Sequence, residues 1–124
     1  MQYAQELFEE TGIICRFDYP QSIPYQALSS DVRHNVFLVI KEGLNNIVKH
    51  SEATEVSVKL LLFLSGFEIS ITDNGKGFDM EKRDQFSNGL NNMQNRIKDI
   101  EGEILVESSA GKGTRIKLAL KIRV

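Results

Sequence analysis

The stretch FEISITDNGKGFD, residues 67–79, begins as a regular β-strand and breaks into a loop that contains two glycines. Phe67, Ile69 and Ile71 share one face of a strand with a two-residue period, and Asp73 continues that same face. A carboxylate on a buried apolar face must find hydrogen-bond donors, or its pKa shifts. We therefore expect Asp73 to point inward and to need a donor at the end of this strand.

Length and composition predict an ordinary globular domain. The chain has 124 residues, of which 41% are hydrophobic and 26% charged, and this suits one domain with one core. Its formal net charge of -2 argues against nucleic-acid binding, and no apolar run approaches the roughly 20 residues of a membrane span. Cys15 is the only cysteine, so an internal disulfide is excluded and a zinc cluster is not expected.

Periodicity and turn signals predict an α+β fold. About three helices would cover one face of a mixed, mainly antiparallel sheet, which makes a two-layer α/β sandwich. The stretch SSD at 29–31 offers a helix N-cap, and Gly102 offers a C-cap. The expected elements are a helix over 1–10, a strand over 13–17, a helix over 32–50, a hairpin turning at Ser65-Gly66, a helix over 90–100, and a second hairpin of 103–109 and 115–122.

The long helix carries a second polar pattern opposite its apolar face. At about 100° per residue, Glu42, Asn46 and Lys49 lie together within roughly 60°. A solvated surface explains this pattern, but a carboxylate and an amide oxygen four residues apart can also hold a hard cation or its waters. The apolar face is expected to consist of Val36, Phe37, Ile40, Leu44 and Ile47.

Three glycine-bearing segments stand out, the opening one among them: DNGKGF at 73–78, NGL at 88–90 and AGKGT at 110–114. None matches the phosphate-binding loop GxxxxGK[ST] or the dinucleotide fingerprint GxGxxG, and each alone is typical of a turn. Together they favour a ligand site, because glycine lets backbone approach a ligand and a helix that starts after Gly89 favours an anion. The exocyclic amine of a purine would supply the donor that Asp73 needs.

These motifs resemble the ATP-binding catalytic domain of two-component sensor histidine kinases, most closely the nitrate-sensor and lipid-fluidity-sensor subfamily. The resemblance runs from about residue 12 to residue 124 and implies the Bergerat ATP-binding fold. Two departures are an asparagine, Asn92, where many relatives have glycine, and a short lid at about 79–88. The matching motifs are EGLNNIVKH at 42–50 for the N box, DNGKGF at 73–78 and NGLNNMQNRI at 88–97 for the two glycine boxes, and GKGT at 111–114 for the closing motif.

The resemblance implies residue roles in binding ATP and Mg2+. Asp73 would accept a hydrogen bond from the adenine amine, and Asn46 would coordinate the magnesium that bridges the phosphates. Glu42 would orient metal-bound water or assist proton transfer, which makes Glu42, Asn46 and Lys49 the candidate catalytic residues. The other expected contacts are Lys49 and His50 near the phosphates, Gly75 and Gly77 at the entry to the lid, Gly89 and Leu90 at the helix that closes it, and Gly111, Gly113 and Thr114 on the pocket floor, with Thr114 close to adenine.

The resemblance also implies a larger signalling protein. Residues 1–11 would be the tail of a preceding dimerisation helix, and residues 12–124 a single catalytic domain. Neither His34 nor His50 looks like a phosphoacceptor, so the acceptor histidine would lie on a separate dimerisation domain, with a response regulator downstream. We expect the domain to be cytoplasmic, to make no direct membrane contact and to be monomeric in isolation, whether or not the parent protein is anchored in the inner membrane.

Other functions of the same fold stay open at this point. An anti-sigma-factor-type kinase phosphorylates a protein serine, a pseudo-kinase binds ATP and signals by shape, and a gyrase-type ATPase needs transducer domains. The start GIICRFDYP at 12–20 and the ending of the N box at Lys49 and His50 favour the sensor kinase, which would transfer the γ-phosphoryl group of ATP to a histidine.

Overall fold

The computed structural model describes residues 2–19, 28–63, 65–77 and 87–121. The predicted α+β class is confirmed in this part of the chain. A π-helical segment, which we call the π turn, extends the second helix by Ile47–Ser51. The helices are α1 Gln2–Thr11, α2 Ser30–Asn46 and α3 Ser87–Asp99, and the strands are β1 Ile14–Asp18, β2 Glu55–Phe63, β3 Gly66–Asp73, β4 Glu103–Ser108 and β5 Thr114–Lys121.

The five described strands form one mixed sheet in the order β1-β2-β3-β5-β4. β1 runs parallel to β2, and the other neighbours are antiparallel. The strand that ends in Asp73 is therefore the central one. Asp73 lies between Val56 of β2 and Thr114 of β5 in the pairing register, so its side chain leaves the middle of the sheet and not an edge.

The core lies between one face of the sheet and the helices. Ile69 and Ile71 of β3 and Leu118 of β5 point into this layer, as the two-residue period predicts. Leu44 of α2 and Ile97 of α3 are fully buried against them. The opposite face is mostly polar, with exposed side chains on every strand. The alternation of apolar and polar residues along the strands therefore determines the face on which the helices pack.

The helix α1 belongs to the same core. Phe8 is only 3% exposed and is part of the hydrophobic cluster. At the start of α2, the hydroxyl of Ser29 accepts a hydrogen bond from the Val32 amide at 3.3 Å, which confirms the predicted N-cap. No helix within the described ranges is long and apolar enough to cross a membrane.

Several details of the predicted elements were wrong. Phe37 is 42% exposed, and Val39, at 1%, takes its place on the apolar face, since that face is centred between Val36 and Ile40. The first hairpin turns between Phe63 and Gly66, which are paired across the strands. Gly66 therefore opens β3 and is not part of the turn, because the alternation alone does not fix where a short hairpin reverses.

The end of α3 gave a further correction. Glu101, not Gly102, adopts the left-handed conformation, with a φ of 60°. The Gly102 amide donates to the Ile97 carbonyl at 2.9 Å and the Glu101 amide to the Lys98 carbonyl at 3.0 Å, which is the bonding pattern of a Schellman cap. Glycine is needed at 102 because an added Cβ would lie 2.9 Å from Ile97 and 2.8 Å from Leu120.

Candidate functional site

A cavity opens at the end of β3, between the sheet, the π turn and α3. It brings together side chains that are far apart in the sequence. The helical side contributes Gly43, Asn46, Ile47, His50 and Ser51, the sheet contributes Asp73, Val106, Thr114 and Ile116, the loop after β3 contributes Gly77, and α3 contributes Leu90 and Met93. The predicted candidates Asn46, His50, Asp73, Gly77, Leu90 and Thr114 therefore share one cavity.

Asp73 is the buried charge of this cavity. The residue is only 5% exposed, and its Oδ1 accepts a hydrogen bond from the Gly75 amide at 2.7 Å. Its Oδ2 is buried and accepts no hydrogen bond from the residues that the structure describes. Burial raises the pKa of Asp73, and the backbone amides of Gly75 and Thr114 partly oppose that rise. The site therefore holds an unpaired acceptor, which a donor from a ligand would satisfy.

Gly75 and Gly77 allow the loop after β3 to pass close to two other backbones. A Cβ on Gly75 would overlap the Ser51 carbonyl and would lie 2.7 Å from the Ser51 Cβ and 2.9 Å from Asp73 Oδ1. Gly77 has a φ of +64°, and a Cβ there would lie 2.8 Å from the Gly113 carbonyl oxygen. Close contacts between backbone segments of this chain around Asp73 thus require these glycines, whether or not a ligand also approaches them.

The π turn begins directly after Asn46 and places His50 and Ser51 on the cavity beside it. The sequence predicted an unbroken helix to residue 50, but the helix widens at Ile47–Ser51, and such segments occur frequently at functional sites. The Ser51 hydroxyl donates to the Ile47 carbonyl at 2.7 Å, and the Ser51 carbonyl accepts from the Lys76 amide at 2.7 Å. Ser51 was missed by sequence reasoning, because a single serine near a helix end gives no distinctive signal.

Asn74 was also missed as a structural residue of the site. Its Oδ1 accepts hydrogen bonds from the amides of Thr54 and Glu55, both at 3.0 Å, and its Nδ2 donates to the Thr54 hydroxyl at 2.9 Å. These bonds fix the start of the loop to the start of β2. The tendency of asparagine to bond to backbone groups in turns was the available signal.

Glu42 and Lys49 do not line this cavity. Glu42 faces a neighbouring groove between α2 and α3, together with Lys41, Asn45 and Arg96. Lys49 is exposed on the π turn. The three polar residues that the helical period grouped are therefore separated, and only Asn46 faces Asp73 across the cavity.

The loop between β4 and β5 closes the floor of the site. The hydroxyls of Ser108 and Thr114 lie 2.9 Å apart, and the Ser108 hydroxyl donates to the Gly113 carbonyl at 3.0 Å. The exposed Gly111 does not line the cavity, but its amide donates to the Lys76 carbonyl at 2.5 Å and so joins this loop to the loop after β3. Gly89 lies in the first turn of α3. Most of the predicted lid, at 79–86, falls outside the described residues.

Comparison with known proteins identifies the family. Residues 31–124 match the family model described as histidine kinase-, DNA gyrase B-, and HSP90-like ATPase. The chain belongs to this family. An ATPase-family domain is thus established by a match over most of the chain, and membership of this family implies ATP binding.

Curated relatives of this ATPase-family domain include sensor histidine kinases. The sensor histidine kinase LiaS of Bacillus subtilis is 36% identical over 117 residues, which cover 94% of this chain and 32% of the relative. The signal transduction histidine-protein kinase/phosphatase DegS of Brevibacillus brevis is 30% identical over 121 residues, covering 98% of this chain and 31% of the relative. The chain thus spans about a third of the length of these relatives, and the resemblance to the ATP-binding domain of sensor histidine kinases is confirmed.

Solved structures share the fold of this ATPase-family domain. The histidine kinase domain of the blue-light activated histidine kinase from Erythrobacter litoralis EL346 superposes with a TM-score of 0.80 at 13% identity, over 98% of this chain and 58% of that one. The histidine kinase AdeS of Acinetobacter baumannii gives a TM-score of 0.75 at 14% identity, over 99% of this chain and 61% of that one. At these identities the likeness shows the fold.

The buried carboxylate gives this ATPase-family domain a predictable pH dependence. Because the folded-state pKa of Asp73 is raised above its ordinary value of 3.8, the folded chain binds this proton more tightly than the unfolded chain. As the pH rises from 3.8 to the folded-state pKa, the free energy of unfolding of the unmodified chain should therefore fall relative to that of Asp73→Asn. Above that window the difference should be constant.

Denaturant unfolding at a series of pH values measures this difference. The matched control is Asp18→Asn, which makes the same chemical change at an exposed aspartate at the end of β1 and leaves Asp73 in place. A difference between Asp73→Asn and the unmodified chain that does not vary with pH would contradict the raised pKa.

Proposed function

We propose that this domain binds ATP with magnesium and transfers the γ-phosphoryl group to a histidine on a separate dimerisation domain of the same signalling protein. The observation that carries the proposal is the buried Oδ2 of Asp73, which lacks a donor in the described part of the chain. The exocyclic amine of adenine is a neutral donor of suitable size. It would satisfy Oδ2 without placing a second charge in the cavity.

The chemistry of Asp73 favours adenine over a base with a carbonyl at the same position. Oδ1 already accepts from the Gly75 amide at 2.7 Å, so Oδ2 is the atom left for the ligand. A carbonyl oxygen facing Oδ2 would put two acceptors together and would leave both unsatisfied. Thr114, whose hydroxyl is held by Ser108 at 2.9 Å, would take a second position beside the base.

The residues near the cavity fit a magnesium ion that is shared with phosphates. The described residues contain no cluster of three or more His, Cys, Asp or Glu side chains that could hold a metal. Magnesium bound with nucleotides commonly uses only one or two protein oxygens and fills its other positions with phosphate and water. Asn46 would supply an amide oxygen inside the cavity, and the carboxylate of Glu42, one helical turn earlier in the neighbouring groove, would hold a water bound to the ion. When bound, the ion would neutralise charge on the phosphates.

The transfer itself requires positioning more than covalent participation by the protein. A nitrogen of the acceptor imidazole attacks the γ-phosphorus, the bond to the bridging oxygen breaks, and ADP leaves while the imidazole gives up its proton. His50 faces the cavity beside Asn46, and we assign it to the phosphates. Glu42 lies outside the cavity and is therefore free of the base site, so we assign it to the acceptor side, where it would assist the proton.

We propose the remaining organisation on the same basis. Residues 1–11 would lead from the dimerisation helix into the domain, and Phe8, which is buried in the core, would hold that connection against the sheet. A response regulator would receive the phosphoryl group downstream. The relatives support this arrangement because they are sensor kinases about three times as long as this chain.

Asp73→Asn should weaken ATP binding strongly. The amide at 73 must turn its oxygen toward the Gly75 amide, so its NH2 group would meet the adenine amine, donor against donor. A lost hydrogen bond to a charged group is worth about 1.5–3 kcal/mol, and the affinity should fall by roughly 10- to 100-fold. Calorimetry measures the affinity for ATP, and Asp18→Asn is the matched control. An unchanged affinity in Asp73→Asn would refute the adenine assignment.

Asn46→Ala should reduce the contribution of magnesium to ATP binding. The dissociation constant of ATP is measured with magnesium and with a chelator, and the ratio of the two values should move toward one in this variant. Asn35→Ala, which removes an exposed amide from the same helix, is the control. Full magnesium dependence in Asn46→Ala would show that residue 46 is not a ligand.

Phosphoryl transfer separates the proposed function from its rivals. The domain is mixed with γ-labelled ATP and a separately produced dimerisation domain of a sensor histidine kinase. Acid-labile, base-stable label on histidine supports the proposal. Label on serine would favour the anti-sigma-factor type of kinase, and ATP binding without label transfer would favour a pseudo-kinase.

A further inference from the structure

Ser51 ends the π turn and is buried, with 8% of its surface exposed. Its hydroxyl makes two hydrogen bonds, one within the π turn and one to the residues that follow it. It donates to the Ile47 carbonyl at 2.7 Å and accepts from the Ala53 amide at 3.1 Å. Since the hydroxyl has one proton, the bond to Ile47 uses its only donor. Ser51 therefore holds the shape of the segment that directly follows Asn46.

The backbone of Ser51 also contacts the opposite wall of the cavity. Its carbonyl accepts a hydrogen bond from the Lys76 amide at 2.7 Å. It lies so close to Gly75 that a Cβ at position 75 would overlap it. The amide of that same Gly75 donates to Asp73 Oδ1 at 2.7 Å. One residue therefore touches both the segment that bears Asn46 and His50 and the loop that orients Asp73.

We propose that Ser51 is a positioning residue that fixes the distance between the two walls of the nucleotide site. One wall carries Asn46 and His50, and the other carries Asp73. The inference rests on the proposed function, because a ligand must touch both walls for their spacing to matter. The affinity for a base that contacts only Asp73 should not depend on Ser51. The affinity for a nucleotide that spans from Asp73 to Asn46 should depend on it.

The hydroxyl is the part of Ser51 that a mutation can remove cleanly. Ser51→Ala keeps the carbonyl that accepts from Lys76, and it adds no atom near Gly75. It removes the bond to Ile47 O and the acceptor for the Ala53 amide, so the π turn can shift while Asp73 keeps its own donor. Ser57→Ala, on the outer face of β2 where the side chain is exposed, is the matched control.

The test compares two ligands on the same variants by calorimetry. Adenosine probes the Asp73 wall, and ATP with magnesium probes both walls. In Ser51→Ala the ATP affinity should fall by about tenfold while that of adenosine stays within about threefold, a difference of the size found among residues of one hydrogen-bond network. Equal losses for both ligands, or a lowered melting temperature with both affinities unchanged, would overturn the proposal. Failure of the unmodified domain to bind ATP would instead refute the proposed function.

Amide hydrogen exchange on the unmodified domain gives a second test that needs no variant. ATP with magnesium should slow exchange at the Lys76 and Ala53 amides together, because both donate to Ser51. Adenosine should slow exchange at Gly75 and leave Ala53 unchanged. If ATP protects Gly75 but not Ala53, the two walls are not joined through Ser51 and the proposal fails.

Discussion

The constraint on which the site depends is a carboxylate buried at the end of the central strand. Removing an ionised group from water costs several kcal/mol unless other groups compensate for it. At Asp73 the compensation is partial, since Oδ1 accepts from Gly75 while Oδ2 accepts nothing from the described residues. A fold optimised only for stability would carry an apolar residue here, as it does at Ile69 and Ile71. The unsatisfied oxygen is therefore best understood as a cost that ligand binding removes.

The surrounding backbone is arranged around that residue. Three segments meet behind Asp73: the π turn at Ser51, the loop at Gly75 to Gly77, and the β4–β5 loop at Gly113. Their approach is close enough that a Cβ on Gly75 or Gly77 would collide with a neighbouring carbonyl. The backbone bonds of Lys76, to Ser51 on one side and from Gly111 on the other, tie these segments together. The glycines are thus part of the support for the carboxylate, whatever they also do for a ligand.

Sequence reasoning could reach the parts of this structure that follow from a period. Ile69 and Ile71 gave the inner face of β3, and the same alternation placed Asp73 on it. The polar residues of the long helix were less predictable, because a regular helical projection puts Glu42, Asn46 and Lys49 on one side. The widening at Ile47–Ser51 changes the projection of the residues after Asn46, Lys49 among them, and no feature of the side-chain pattern predicts it. Glu42 and Asn46 both precede the widening, and they are separated because the cavity and the α2–α3 groove adjoin different sides of α2. Asn46 and His50 reach the cavity, while Glu42 faces the α2–α3 groove.

The separation of Glu42 from Asp73 bears on how one domain can serve two reaction partners. In the proposed function, a base bound at the buried Asp73 would lie next to the central strand. Glu42 lies one helical turn before Asn46, in the groove between α2 and α3 with Lys41 and Arg96. A nucleotide that extends from Asp73 past Asn46 would bring its terminal phosphate toward that groove, where a second domain has access. On this proposal Asp73 would select the base, and the groove at Glu42 would present the phosphoryl group. Because the two tasks would fall on different residues of α2 and β3, tight base recognition would not require the acceptor domain to enter the cavity.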